Sequence, residues 1–162
     1  MNILAIDPGN IYSGYVVLND DLKPVEFGKI ENEELNDKIN AGEFNNCKYV
    51  AIEMIASYGM AVGATVFDTC VWIGRFYESL NFMISNCKPT YIYRKDEKIN
   101  LCGTMKAKDT NIRQALIDRF GVVGVKKSPG WFYGFKSDIW SAYAVAVTFY
   151  DMYLKGANNN EI

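Results

Sequence analysis

The sequence predicts an α/β domain whose five-stranded mixed sheet joins an antiparallel N-terminal meander to parallel strands, with helices on its flanks. Three observations predict it. Three β-rich segments, residues 2–7, 12–19 and 24–30, follow one another across turn residues. Two later apolar strand segments, 48–55 and 90–93, alternate with stretches of helical spacing. No repeat or linker divides the 162 residues, which suits one domain over 1–155 with a disordered tail over 156–162.

Taken in order, residues 2–7 run apolar into Asp7 and stop at Pro8-Gly9. Residues 12–19 return after that tight connection, and 24–30 follow Asn19-Asp20-Asp21, as in a meander. Residues 31–41 are acidic and polar, with Leu35 and Ile39 at i, i+4, which suits a short surface helix. Residues 48–55 are a strand, apolar except for Glu53 near its end. From 60 to 86 the apolar residues Val62, Val66, Cys70, Ile73, Tyr77, Leu80 and Ile84 recur at helical spacing. A fifth strand at 90–93 follows Pro89. A helix over 107–120 places Ile112, Leu116 and Phe120 on one face, with Gly121 as its stop. The aromatic loop Ser128–Gly134 then precedes a last helix from 138 to 154.

Composition narrows the chemistry. Histidine is absent, which excludes Ser-His-Asp and Cys-His catalysis and histidine-ligated zinc. Cys47, Cys70, Cys87 and Cys102 lie far apart without a CxxC pair, and are expected as reduced core thiols. The N-terminus lacks the pattern of a signal peptide and no apolar run is long enough to span a bilayer, so the expected location is the cytoplasm. The net charge of −2 conceals a division: Lys88 to Lys136 holds eleven Lys/Arg against four Asp/Glu, leaving six against fifteen elsewhere. That third of the chain is basic enough to track phosphates, although a patterned solvated surface would look the same.

Three acids stand out. Asp7 and Glu53 each sit at or near the end of an apolar strand, where a lone ionised carboxylate is costly. Asp138 opens a strongly apolar helix. Each has a structural reading: Asp138 as a helix cap, Asp7 as a turn residue, and Glu53, a poor strand former, with least excuse. If the two strands are parallel neighbours, their carboxylates meet at one sheet edge. Carboxylates gathered from three segments repel one another unless a cation neutralises them, and all-oxygen ligation selects magnesium or manganese.

The segments that carry these acids resemble, in order, those of RuvC-type Holliday junction resolvases of the ribonuclease H-like superfamily. Ala5-Ile6-Asp7-Pro8-Gly9 through Gly14-Tyr15 looks like their first catalytic strand and hairpin, and Ala51-Ile52-Glu53-Met54 like their second acidic strand. Lys136-Ser137-Asp138-Ile139-Trp140-Ser141 is similar to the helix that supplies their remaining acids, and Met105–Gly121 to the basic helix they present to DNA. The match covers roughly residues 1 to 150, and its details look more like the version carried by bacteriophages, which would work in the host cytoplasm. The resemblance implies a homodimer that makes paired nicks in four-way DNA junctions during recombination and repair. It implies two magnesium ions, replaceable by manganese, about 4 Å apart on Asp7, Glu53 and Asp138. Lys106 and Lys108 would contact the scissile phosphate or its neighbours; Arg113 and Arg119 would contact duplex backbone or be plain exposed helix charges.

Two departures from the family pattern follow. Its fourth acid, one turn past Asp138, is Ser141 here, and the next acid, Asp151, lies roughly 20 Å further along a helix. Either Ser141 reaches a metal, directly or through water, or the second ion is held more weakly and manganese is preferred. The aromatic wedge expected just after the second acid is Ala56, with Tyr58 two residues on, either to stack on an exposed base or to pack at the start of the helix. The helix over 60–86 carries Phe67, Trp72, Phe76, Tyr77 and Phe82, an excess of apolar surface that places the dimer interface there unless core packing absorbs it. Rival readings are a ribonuclease acting on structured RNA or RNA–DNA hybrids, and a non-catalytic junction-binding protein. The sugar-kinase and actin superfamily shares an Asp-x-Gly loop but needs a chain at least twice this length.

Overall fold

The computed structural model of the chain describes residues 2–85 and 87–156. Its main sheet holds β1 (Ile3–Asp7), β2 (Tyr12–Leu18), β3 (Pro24–Glu31), β4 (Tyr49–Met54) and β5 (Thr90–Tyr93), in the order β3-β2-β1-β4-β5. β1 pairs antiparallel with β2, and β2 with β3, whereas β4 and β5 add in parallel. The parallel additions require crossovers. The first is α1 (Asn32–Asn40), and the second is α2 (Ala64–Met83). α3 (Arg94–Cys102), α4 (Asp109–Phe120) and α5 (Ser137–Phe149) follow, the last prolonged by a π-helical turn at Tyr150–Leu154.

Side chains alternate across the sheet and divide the core into two layers. Leu4, Ile6, Val17, Val50 and Ile52 meet α1 and α2 through Leu35, Ile39, Ile73, Phe76 and Leu80. Ile3, Ala5, Val16, Leu18, Ala51 and Ile92 face α4 and α5 through Ile112, Leu116, Tyr143 and Ala144. Because α5 is buried along nearly its whole length, it serves as the spine of the second layer. Phe132 and Phe135, from the loop before α5, pack against Trp140 and Tyr143, and the Tyr143 hydroxyl donates to the Leu22 carbonyl at 3.0 Å. This aromatic corner fixes where α5 begins.

Several elements differ from expectation. α3 has no apolar periodicity strong enough to predict it, since Arg94–Lys98 is charged throughout. The second crossover helix is shorter than 60–86, and its inward stripe is Thr69, Ile73, Phe76 and Leu80. Cys70 is therefore exposed rather than a core thiol, whereas Cys47 and Cys87 are buried and Cys102 is half-buried. α4 begins two residues later than 107, where the Lys108 N–H donates to Asn111 Oδ1 at 2.8 Å, and it stops before Gly121 as expected. Within the segment read as loop, Gly124–Val125 and Ser128–Pro129 form a small hairpin, β6–β7. Apart from Gly156, the tail expected over 156–162 lies outside the described residues. No helix among the described residues is long and apolar enough to cross a membrane.

Candidate active site

The sheet register builds the site. Asp7 pairs with Gly14, and Gly14 with Lys29. Glu53 follows Ile52, which pairs with Ile6, and Glu53 itself pairs with Ile92. One row therefore crosses all five strands in the order Lys29, Gly14, Asp7, Glu53, Ile92. By the two-residue alternation this row shares the face of Ala5, Val16 and Ala51, beneath α5. β1 and β4 are parallel neighbours, which sets Asp7 and Glu53 side by side at one end of the sheet, near enough for the charge of Glu53 to act on the Asp7 carboxyl. Burial first, and then the charge of Glu53, hold the Asp7 carboxyl well above the usual carboxylate range. A carboxyl pair of this kind shares a proton or a cation.

Asp138 reaches the row through a missing side chain. A Cβ on Gly14 would lie 2.3 Å from the Asp138 carbonyl oxygen and 2.9 Å from its Cβ, so only glycine lets the start of α5 settle there. The Asp138 carboxylate stands close enough to Asp7 to raise it further, and is paired with Lys29 Nζ at 2.6 Å. The loop after Asp7 is fixed by a buried relay. The Gly9 N–H donates to Ser13 Oγ at 3.2 Å, Ser13 Oγ to Asn32 Oδ1 at 2.6 Å, and Asn32 Nδ2 to the Gly9 carbonyl at 2.8 Å.

A fourth acid, not anticipated from sequence, closes the site from the other end of the row. Glu97 lies in the first turn of α3, directly after β5, and is wholly buried. Its Oε2 accepts from Arg94, whose other guanidinium nitrogen donates to Asp109 at the start of α4. Its Oε1 is buried without a hydrogen-bond partner among the described residues. Burial, then the charge of Glu53, push the Glu97 carboxyl up to about 9 against the pull of Arg94.

Among the described residues, no three acids are drawn together closely enough to hold a metal ion as they stand, Glu97 with Asp7 and Glu53 included, and Asp138 is paired with Lys29. The donor set nevertheless fits a hard divalent cation. It is all oxygen, it includes a pair of neighbouring carboxyl groups, and it holds one orphaned carboxyl oxygen.

The remaining predicted residues separate into two groups. Ser141 lies one turn past Asp138 and lines, with Asp138, Arg94, Asp109, Arg113 and Lys136, a cleft of about 360 Å³ between α4 and α5. Arg113 lies over the Trp140 ring at 4.8 Å on the wall of this cleft. Lys106 and Lys108 are exposed before α4, and Lys108 precedes the Asp109 that is tied to Arg94. Tyr58 is 62% exposed with a left-handed φ of 48°, so it is not packed at the start of α2. Arg119 lies apart from the site. It grips Asp151 with two bonds of 2.6 and 2.9 Å, and Asn100 donates to the same carboxylate. Asp151 is therefore occupied by Arg119 and Asn100.

No protein-family model matches the chain, and no curated protein matches it in sequence. Solved structures do match. RuvC of Thermus thermophilus superposes with a TM-score of 0.67 at 19% identity, over 94% of this chain and 96% of that one. The fold is that of RuvC. The same RuvC in complex with Holliday junction substrate matches with a TM-score of 0.67 at 17% identity, over 94% and 95%. The yeast mitochondrial Holliday junction resolvase Ydc2 matches at 0.56 and 11%, over 91% of this chain and 78% of that one. The five-stranded mixed sheet expected from the sequence, an antiparallel meander joined to parallel strands and flanked by helices, is thus present. Within this RuvC fold, sequence reasoning missed Lys29, Arg94 and Glu97. Alternation along β3 would have placed Lys29 on the inner row only with the register known, and the charged run 94–98 reads as surface.

Proposed function

We propose that the chain is a divalent-metal-dependent endodeoxyribonuclease that makes paired nicks in four-way and other branched DNA as a homodimer. One observation carries this reading: Asp7, Glu53 and Asp138 come from three separate segments to one end of the sheet, in a fold shared with two junction resolvases. Burying carboxylates side by side costs stability, and a cation-dependent reaction accounts for that cost.

What two divalent ions supply when bound to these acids is an activated water and a stabilised leaving oxygen. The chain's own residues do the rest. Asp7 and Glu53 are fixed by paired strands, so their oxygens need no reorganisation when substrate arrives. Asp138 is poised to exchange its ammonium partner Lys29 for a metal. Arg113 and Lys136 line the adjoining cleft, where a phosphodiester backbone can run past Asp138 and Ser141. Lys108 stands beside Asp109 at the start of α4, where it can meet a further phosphate. Lys106 lies beside Asn111 and Gln114, on a different flank of α4 from the cleft. Tyr58 is exposed and able to stack on an unpaired base.

The homodimer reading is supported by α2, whose outer face carries Phe67 at 62%, Val71 at 62% and Phe82 at 83% exposure while Ile73, Phe76 and Leu80 fill the core. Exposed apolar side chains spread along the length of one helix suit a self-complementary two-fold contact. The test is substrate choice. A labelled four-way junction, a fork, a linear duplex and an RNA–DNA hybrid are offered in magnesium or manganese. Paired incisions in the junction support the reading. Cleavage confined to the hybrid would make the chain a ribonuclease, and junction binding without cleavage in either metal would make it a non-catalytic binder.

A further inference from the structure

The carboxylates assigned above leave Glu97 unexplained. A buried glutamate with an ion-pair partner has an ordinary structural role, but that role uses only Oε2, on Arg94. Oε1 is buried and has no partner among the described residues, a costly state for a carboxyl oxygen. Its placement is specific. β5 is the parallel neighbour of β4, Ile92 continues the catalytic row beside Glu53, and α3 begins immediately after β5. This puts the first turn of α3 over the same sheet edge from which Asp7 and Glu53 project. Glu97 is near enough for its charge to act on both of them. On the opposite flank, the residue one turn past Asp138 is a serine and brings no charge.

We infer that Glu97 is a metal ligand of this site, its free Oε1 supplying a carboxylate to the ion held by Asp7 and Glu53 while Oε2 stays on Arg94. Arg94 then fixes the ligand's orientation, and through Asp109 it ties the start of α4, with Lys108, to the metal. The inference rests on the proposal that Asp7 and Glu53 bind a divalent cation.

The experiment is calorimetric titration of manganese into the full chain without DNA, for wild type, Glu97→Gln and Asp7→Asn. Glutamine keeps an oxygen acceptor for Arg94 and replaces the other carboxyl oxygen with an NH2 group, which cannot bind a cation. Manganese affinity is expected to fall about 10- to 100-fold in Glu97→Gln, with metal-free circular dichroism and metal-free junction affinity unchanged. Wild-type affinity in Glu97→Gln beside lost affinity in Asp7→Asn overturns the inference and leaves the metal site standing. Wild type that neither binds manganese nor cleaves removes the nuclease reading and the inference together. Should Glu97→Gln fail to fold, manganese-soaked crystals of wild type decide. An anomalous peak at coordination distance from Glu97 Oε1 supports the assignment, and a peak on Asp7 and Glu53 alone overturns it.

Discussion

Asp138 rests directly on Gly14: a Cβ there would come within 2.3 Å of the Asp138 carbonyl oxygen. Since Gly14 pairs with Asp7 in the sheet, the missing side chain sets the distance between the acid of α5 and that of β1. Gly14→Ala is expected to push back the start of α5, costing about 1–3 kcal/mol through overpacking. Denaturant unfolding measures the loss, and manganese affinity should drop with it. Unchanged unfolding and affinity would show that α5 can yield without moving Asp138.

Two arginines of α4 should behave oppositely. Arg119 holds Asp151, whose side chain is only 10% exposed, so Arg119→Ala is expected to lower stability by about 1 kcal/mol. Its junction affinity should stay within error of wild type. Arg113 faces the cleft beside Asp138. Arg113→Ala should therefore weaken junction binding and reduce the slope of log affinity against log salt by about 1, the signature of one lost phosphate contact. Fluorescence anisotropy over a salt series separates the two.

The metal-free protein should lose stability as pH rises. Glu97 moves from 4.5 up to about 9 on folding, driven by burial and then by Glu53, and Asp7 is raised in the same direction. A carboxyl raised by folding binds its proton more tightly in the native state. Its contribution is complete below 4.5 and is lost as pH climbs through about 9. Unfolding free energy measured across that window should decline in wild type and decline less steeply in Glu97→Gln, where the raised Asp7 still contributes. Because metal binding displaces these protons, the stabilisation by manganese should grow over the same window. A flat wild-type profile would contradict the coupling.

The outer face of α2 offers a separate check. Phe82→Asp and Phe67→Asp alter exposed positions, 83% and 62%, so the fold should survive either change. On the homodimer proposal, sedimentation velocity should show wild type as a dimer and both variants as monomers. A dimer that persists in the double variant places the interface elsewhere.

How much of this was legible beforehand depends on whether a residue's role is local. Asp7 and Glu53 stood out because acids at the ends of apolar strands violate a local rule, and Asp138 because it opens an apolar helix. The sheet followed from β-rich and apolar segments and from the short connections of a meander. Glu97 was hidden for the converse reason. It sits among Arg94, Lys95, Asp96 and Lys98, where charge implies solvent, and only the docking of α3 buries it. Lys29 required the register of three strands, and the occupation of Arg119 by Asp151 joins residues 32 positions apart. Tyr58 had two readings that differ only in exposure, and that is a property of the folded loop.

The central claim is that Asp7 and its neighbouring carboxylates direct metal-dependent cleavage of branched DNA. The most direct measurement is incision of a strand-labelled four-way junction by wild type and Asp7→Asn, with magnesium, with manganese and with chelator. Wild type should make paired nicks with either metal and none with chelator. Asp7→Asn should make none, although it still binds the junction. Cleavage by Asp7→Asn at the wild-type rate, or in chelator, would rule out metal-dependent cleavage at these acids.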